Sequence, residues 1–158
     1  MAQLTPRFST NRVVREYTEK YYLQAASAYL ERAGDKGKIG ADIIRRRHTL
    51  DEGWAALHFG EAKIETRGER YVFEVHVHLG DLDPNSVRLE LYADGVGGGD
   101  PVRQEMESVR QLVPAPGCFV FRASVSAARP ATDYTARAIS QSDSIAIPLE
   151  DARILWQR

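Results

Sequence analysis

His76 and His78 stand two residues apart, with Glu74 two residues earlier, in a stretch that reads Arg-Tyr-Val-Phe-Glu-Val-His-Val-His-Leu over residues 70–79. Alternate side chains of a strand share a face, so this spacing can aim two imidazoles at one metal ion, with His58 supplied by a neighbouring strand. A solvated outer sheet face carries the same pattern, and no cysteine or carboxylate cluster elsewhere completes a metal site. Residues 95–99 are glycine-rich, but they lack the Gly-Lys-Ser/Thr and the following helix that a phosphate loop uses to aim backbone N–H groups at an anion. A hairpin loop fits them better. Cys118 lies between apolar neighbours with no base close in sequence, which suits a packed or exposed thiol more than a nucleophile. Trp54, Tyr92 and Trp156 offer flat aromatic faces that can stack on the C–H faces of sugar rings, and the plainer role of each is packing. Asp133, Tyr134 and Arg137 read as a chain corner rather than an acid–base pair. Arg45-Arg46-Arg47 can hold a phosphate, although such a run is ordinarily a solvated helix face. No catalytic signature stands out.

The chain that must position these residues has 158 residues, 43% of them hydrophobic and 27% charged. That length can bury a real core, and the composition is that of a globular rather than a disordered protein. Net charge is −1 with both signs mixed along the chain, so no global field draws it to nucleic acid or to an acidic membrane. A single cysteine, with no signal-peptide pattern and no apolar run near the roughly 20 residues of a membrane span, makes a reducing cytoplasm the expectation.

Two kinds of periodicity divide the chain. Residues 1–7 form a loose lead-in ending at Thr5-Pro6, and Ser9-Thr10-Asn11 then offers N-cap oxygens. Val13, Val14, Tyr17, Tyr21, Ala25 and Ala28 recur at steps of three and four, predicting a helix over about residues 10–33, closed by Gly34. Asp35-Lys36-Gly37 reads as a turn, and Ile39, Ile43, Leu50 and Trp54 continue in near-helical register to about residue 55. Such a helical hairpin, rich in tyrosine, has more aromatic surface than a small sheet covers, so part of it is expected to face a partner.

From residue 57 the period becomes two. Strands are expected over 58–66, 70–79, 87–92, 102–112, 118–125, 134–139 and 153–156. Turn chemistry separates them at 67–69, 80–85, 95–101 and 114–117. In the strand over 70–79, Tyr71, Phe73, Val75, Val77 and Leu79 take the core face. Short strands at this spacing argue for an antiparallel sandwich of immunoglobulin-like general shape. The expected class is therefore α+β: a helical hairpin over residues 1–56 and a β-sandwich over 57–158.

Three stretches resemble a known family. Phe8-Ser9-Thr10-Asn11-Arg12-Val13-Val14-Arg15-Glu16-Tyr17, followed by Lys20-Tyr21-Tyr22, resembles the late helix of the α-glucan (glycogen, starch, maltodextrin) phosphorylases. Ala93-Asp94-Gly95-Val96-Gly97-Gly98-Gly99 with Val102-Arg103-Gln104-Glu105-Met106 is similar to the tail of the bacterial long-form members. So is the ending from Arg129-Pro130-Ala131-Thr132-Asp133-Tyr134-Thr135-Ala136-Arg137, through Ile147-Pro148-Leu149-Glu150, to Ile154-Leu155-Trp156-Gln157-Arg158. The resemblance implies the C-terminal end of such an enzyme: the last helices of its catalytic half and an appended sandwich. Met1 and the short lead-in fit either a separately encoded remnant or a piece expressed by itself.

Family members use pyridoxal phosphate, held by a lysine in a glycine- and serine-rich stretch. Lys20, Lys36, Lys38 and Lys63 lack that context, so the resemblance carries no catalytic or cofactor-binding residue onto this chain. The function it implies is a non-catalytic portion that docks on a catalytic phosphorylase part or aids binding of an α-1,4-glucan, with Tyr17, Tyr21, Trp54, Tyr92 and Trp156 as candidate contacts. The alternatives are a free-standing carbohydrate-binding sandwich and a module that forms a homodimer through the helical hairpin.

Overall fold

The computed structural model describes residues 9–113, 115–142, 144–147 and 150–158. The expected lead-in over residues 1–7, Pro114 of the expected turn, and Phe8, Pro148 and Leu149 of the resembling stretches lie outside the described residues. The chain divides into two compact units, Met1–Arg46 and Arg47–Arg158.

In the first unit, helix α1 spans Thr10–Tyr17 and starts where the N-cap pattern placed it: the Ser9 side chain accepts a hydrogen bond from the Arg12 N–H. A turn of π-helix, Thr18–Tyr22, follows, which periodicity did not foresee. Helix α2, Leu23–Gly53, runs on past the unit boundary and is broken at Gly34–Asp35–Lys36–Gly37, where backbone angles leave the helical region. Asp35 and Lys36 adopt positive φ there, 48° and 57°, a conformation that costs L-residues energy. The predicted stop at Gly34 and turn after it are therefore present. Among the described residues no helix is long and apolar enough to cross a membrane.

The second unit is built on antiparallel strands β1 (His58–Arg67), β2 (Arg70–His78), β3 (Val87–Ala93), β4 (Val102–Glu105), β5 (Glu107–Gln111), β6 (Cys118–Ser126), β7 (Thr135–Ser140) and β8 (Ile154–Trp156). They form two four-stranded sheets, ordered β1-β2-β6-β5 and β4-β3-β7-β8. The α+β class expected from the sequence holds.

Both sheets line one core. Phe73, Val75 and Val77 of β2 pair with Ala123, Phe121 and Phe119 of β6. Leu89 and Leu91 of β3 pair with Ala138 and Ala136 of β7, bulky beside small, so the second inner face interdigitates with the first. Leu50, from the last turns of α2, and Leu57 join this cluster, and Trp54 packs against it. Arg153 ties the same helix end to the chain terminus: it pairs with Asp51 and, at 2.6 Å, with the buried Asp151.

One expected strand is corrected. Residues 102–112 do not form a single strand; β4 belongs to one sheet and β5 to the other. The break falls at Met106, whose side chain is 3% exposed and whose N–H bonds to the Leu89 carbonyl at 2.8 Å. Its flanks are solvent-exposed, so a lone apolar residue sinks into the core where the chain crosses between layers. The turn into β6 depends on Gly117, at φ 76°, where a Cβ would lie 2.7 Å from the Gly80 carbonyl oxygen.

The Met106 crossing makes a stability prediction. Met106→Ala is expected to cost roughly 2–4 kcal/mol in urea unfolding. Val109→Ala, on exposed β5, is expected to stay within about 0.5 kcal/mol of the parent.

Candidate functional site

The sequence offered two groups of aromatic candidates, and they fall in different units. Tyr17 and Tyr21 lie in the first, Trp54, Tyr92 and Trp156 in the second. Tyr17 and Tyr21 are about half exposed, at 53% and 52%, with ring centroids 5.5 Å apart. Tyr22, Leu23, Tyr29 and Leu30 are more exposed still. The π-turn begins just after Tyr17 and contains Tyr21 and Tyr22; such wide turns occur often at functional positions. Trp54 is half-buried and packs against the core in the turn that ends α2.

Tyr92 and Trp156 do come together. They lie on the outer face of the second sheet, on β3 and β8, which flank β7. Glu90 pairs in register with Arg137, and Arg137 with Trp156. Arg137 extends beneath both rings, its guanidinium carbon 4.3 Å from the Tyr92 centroid and 5.1 Å from that of Trp156. The rings meet edge-on at 5.4 Å and 79°. The Arg137 Nε–H donates to Glu90 Oε1 at 2.6 Å. Both charges are sunk below the rings, with side-chain exposures of 13% and 6%. Tyr92 donates its phenolic hydrogen to Asp94 at 3.1 Å, and Arg129 donates to the Asp94 carbonyl at 2.8 Å, which fixes the start of the glycine-rich loop. Arg137 was grouped with Asp133 and Tyr134 from sequence proximity, yet the structure divides them. Asp133 accepts from Arg129, and the buried Tyr134 hydroxyl donates to the Ser126 carbonyl at 3.0 Å.

The histidines form a second constellation, on the outer face of the first sheet. His58 and His78 are cross-strand partners whose rings stack at 4.4 Å and 7°. His58 Nδ1 lies 2.8 Å from the Ala56 carbonyl, and the Cys118 thiol lies 3.6 Å from His78 Nε2. Stacked rings point their nitrogens past one another, and among the described residues no group of three His, Cys, Asp or Glu side chains converges on a metal position. Cys118 is 1% exposed, and burial pushes its pKa up, which makes it a poor nucleophile. On the same face Arg122 donates to Glu74 at 2.9 Å, and this bond, helped by the arginine's charge, holds the Glu74 carboxyl below its ordinary pKa.

The glycine-rich loop is a closed turn between β3 and β4. Gly95 packs so tightly that a Cβ would lie 1.8 Å from the Gly99 carbonyl oxygen. Lys20, Lys36, Lys38 and Lys63 are all exposed.

Comparison with characterised proteins gives partial matches. The chain is 32% identical over 89 residues to the maltodextrin phosphorylase of Thermococcus litoralis, covering 56% of this chain and 10% of that protein. It is 26% identical over 113 residues to the glycogen phosphorylase of Mycobacterium tuberculosis, covering 65% of this chain and 13% of that protein. The chain thus spans only about a tenth of the length of these curated relatives. No family model matches it.

Two outcomes follow from the electrostatics. Glu90→Gln leaves the Arg137 cation sunk and unpaired, and is expected to cost about 3–5 kcal/mol in urea unfolding. The exposed partner pair behaves differently. With its folded pKa depressed, Glu74 stabilises the fold above the unfolded carboxylate range, and that contribution disappears as pH falls through the lower folded value. Melting curves of Glu74→Gln are therefore expected to converge on those of the parent in acid and fall below them at neutral pH.

Proposed function

We propose that this chain is the C-terminal, non-catalytic portion of an α-glucan phosphorylase-like protein of glycogen or starch metabolism. In this reading residues 1–56 are the last helices of the catalytic half and residues 57–158 an appended sandwich. The chain works by docking on a catalytic part or by helping to hold glucan. The observation that carries the reading is a tyrosine-rich helix left in solvent, on a chain whose matches are to a maltodextrin and a glycogen phosphorylase. An exposed apolar helix face gains most when a partner removes it from water. In this reading the cofactor chemistry belongs to the catalytic part.

We also read the sandwich as immunoglobulin-like. One sheet has the ABED order, and the other has CFG with an added edge strand. Tyr134, just before β7, bonds back to the carbonyl of Ser126 as a tyrosine corner does. A second functional reading, a free-standing carbohydrate-binding module, is favoured by a different observation, the paired Tyr92 and Trp156 on one outer sheet face.

Sedimentation velocity separates these readings. The purified chain is mixed with the Mycobacterium tuberculosis phosphorylase lacking the 113 residues that it matches. A complex is expected, and loss of that complex in the Tyr17→Ser, Tyr21→Ser double variant. A chain that instead dimerises by itself through those tyrosines is a self-associating module. Phosphorolysis of maltodextrin by the chain alone would defeat the non-catalytic reading.

A further inference from the structure

The outer face of the sheet that carries β3, β7 and β8 combines three properties. It presents aromatic surface to solvent, with Trp156 39% exposed on a three-residue edge strand. It is held rigid: Arg137 fills the space beneath both rings, Glu90 fixes Arg137, and Asp94 fixes the Tyr92 hydroxyl. The charges directly beneath the rings are paired: Arg137 is bound to Glu90, and Arg88 stands 3.9 Å from the same carboxylate.

Together these properties select a class of ligand. The guanidinium beneath the rings is committed to Glu90, so it is not offered to an anion or a nucleic-acid phosphate. A membrane surface needs a larger apolar or basic patch than two rings supply. What suits a rigid aromatic surface over paired charges is a neutral face rich in C–H groups and edged with hydroxyls. A pyranose ring has that form. Its hydroxyls would find Thr135, which is cross-strand partner to Tyr92, and the Asp94 carboxylate close to the face.

We infer that the Tyr92–Arg137–Trp156 face is a binding site for a neutral pyranose chain, with Trp156 as the stacking platform and Arg137 as the positioning residue that keeps the rings in place. The choice of an α-1,4-glucan among such chains rests on the proposed function above; the site itself rests on its own geometry.

The test uses the whole chain and maltoheptaose. Titration is expected to change the indole fluorescence saturably, and bound maltoheptaose is expected to slow oxidation of Trp156 by N-bromosuccinimide, followed by peptide mass. Trp156→Ala is expected to bind about tenfold more weakly. Arg137→Met, which strands the buried Glu90 carboxylate and lowers stability, is expected to weaken binding by the chain that circular dichroism shows to be folded. The oxidation arm needs no variant, so it decides the matter even where a substitution unfolds the chain. Oxidation of Trp156 at the same rate with and without maltoheptaose would overturn the inference and leave the face a structural ladder. That result is independent of sedimentation with the truncated phosphorylase, so docking can stand while this site falls, and the reverse.

Discussion

The mutual burial of two inner sheet faces is the constraint on which the 47–158 unit depends. Neither four-stranded sheet can leave Val75, Val77, Leu89 and Leu91 in water, and each sheet's apolar face is the other's solvent shield. The shared core fixes everything that touches its rim. It forces the chain to cross between layers at Met106, it gives Leu50 and Leu57 a place to insert, and it sets the register of β3 against β7. That register in turn places Glu90, Arg137 and Trp156 in one row on the far side of the sheet. The surface cluster is thus a consequence of inward packing, since a shift of one residue would turn Arg137 into the core.

Much of this was legible in the sequence because it is local. Period-two alternation identified the core faces of β2, β3 and β6, and turn residues placed most strand ends within a residue or two. The N-cap at Ser9 and the break at Gly34 were equally local. Non-local features were not legible. Glu90 and Arg137 are 47 residues apart, and nothing in their immediate neighbours announces the pairing. Tyr134 turns the corner before β7, whereas cross-strand register decides the neighbours of Arg137. The crossing at Met106 was blurred for a related reason: one buried apolar residue between exposed flanks looks like a weak strand until both sheets are seen. The π-turn at Thr18–Tyr22 has no signature in apolar spacing. Cys118 and Val120 are buried on a face that alternation assigned to water, near the stacked histidines.

The same contrast separates the two candidate surfaces by chemistry. The tyrosines of residues 10–33 are exposed and loosely engaged, which is the state of a surface that gains by association. The Tyr92–Arg137–Trp156 face is rigid, with paired charges beneath its rings, which is the state of a surface already organised for a small ligand. Under the proposed function the first surface would join the chain to catalytic machinery and the second would touch the polymer.

Hydrogen–deuterium exchange on residues 10–33, with and without the truncated phosphorylase, tests the docking claim most directly. The account predicts strong added protection centred on Tyr17–Tyr22 and none on the sheet that carries β3 and β7. Unchanged exchange across that helix, under conditions where the two proteins co-sediment, would contradict it and move the contact elsewhere.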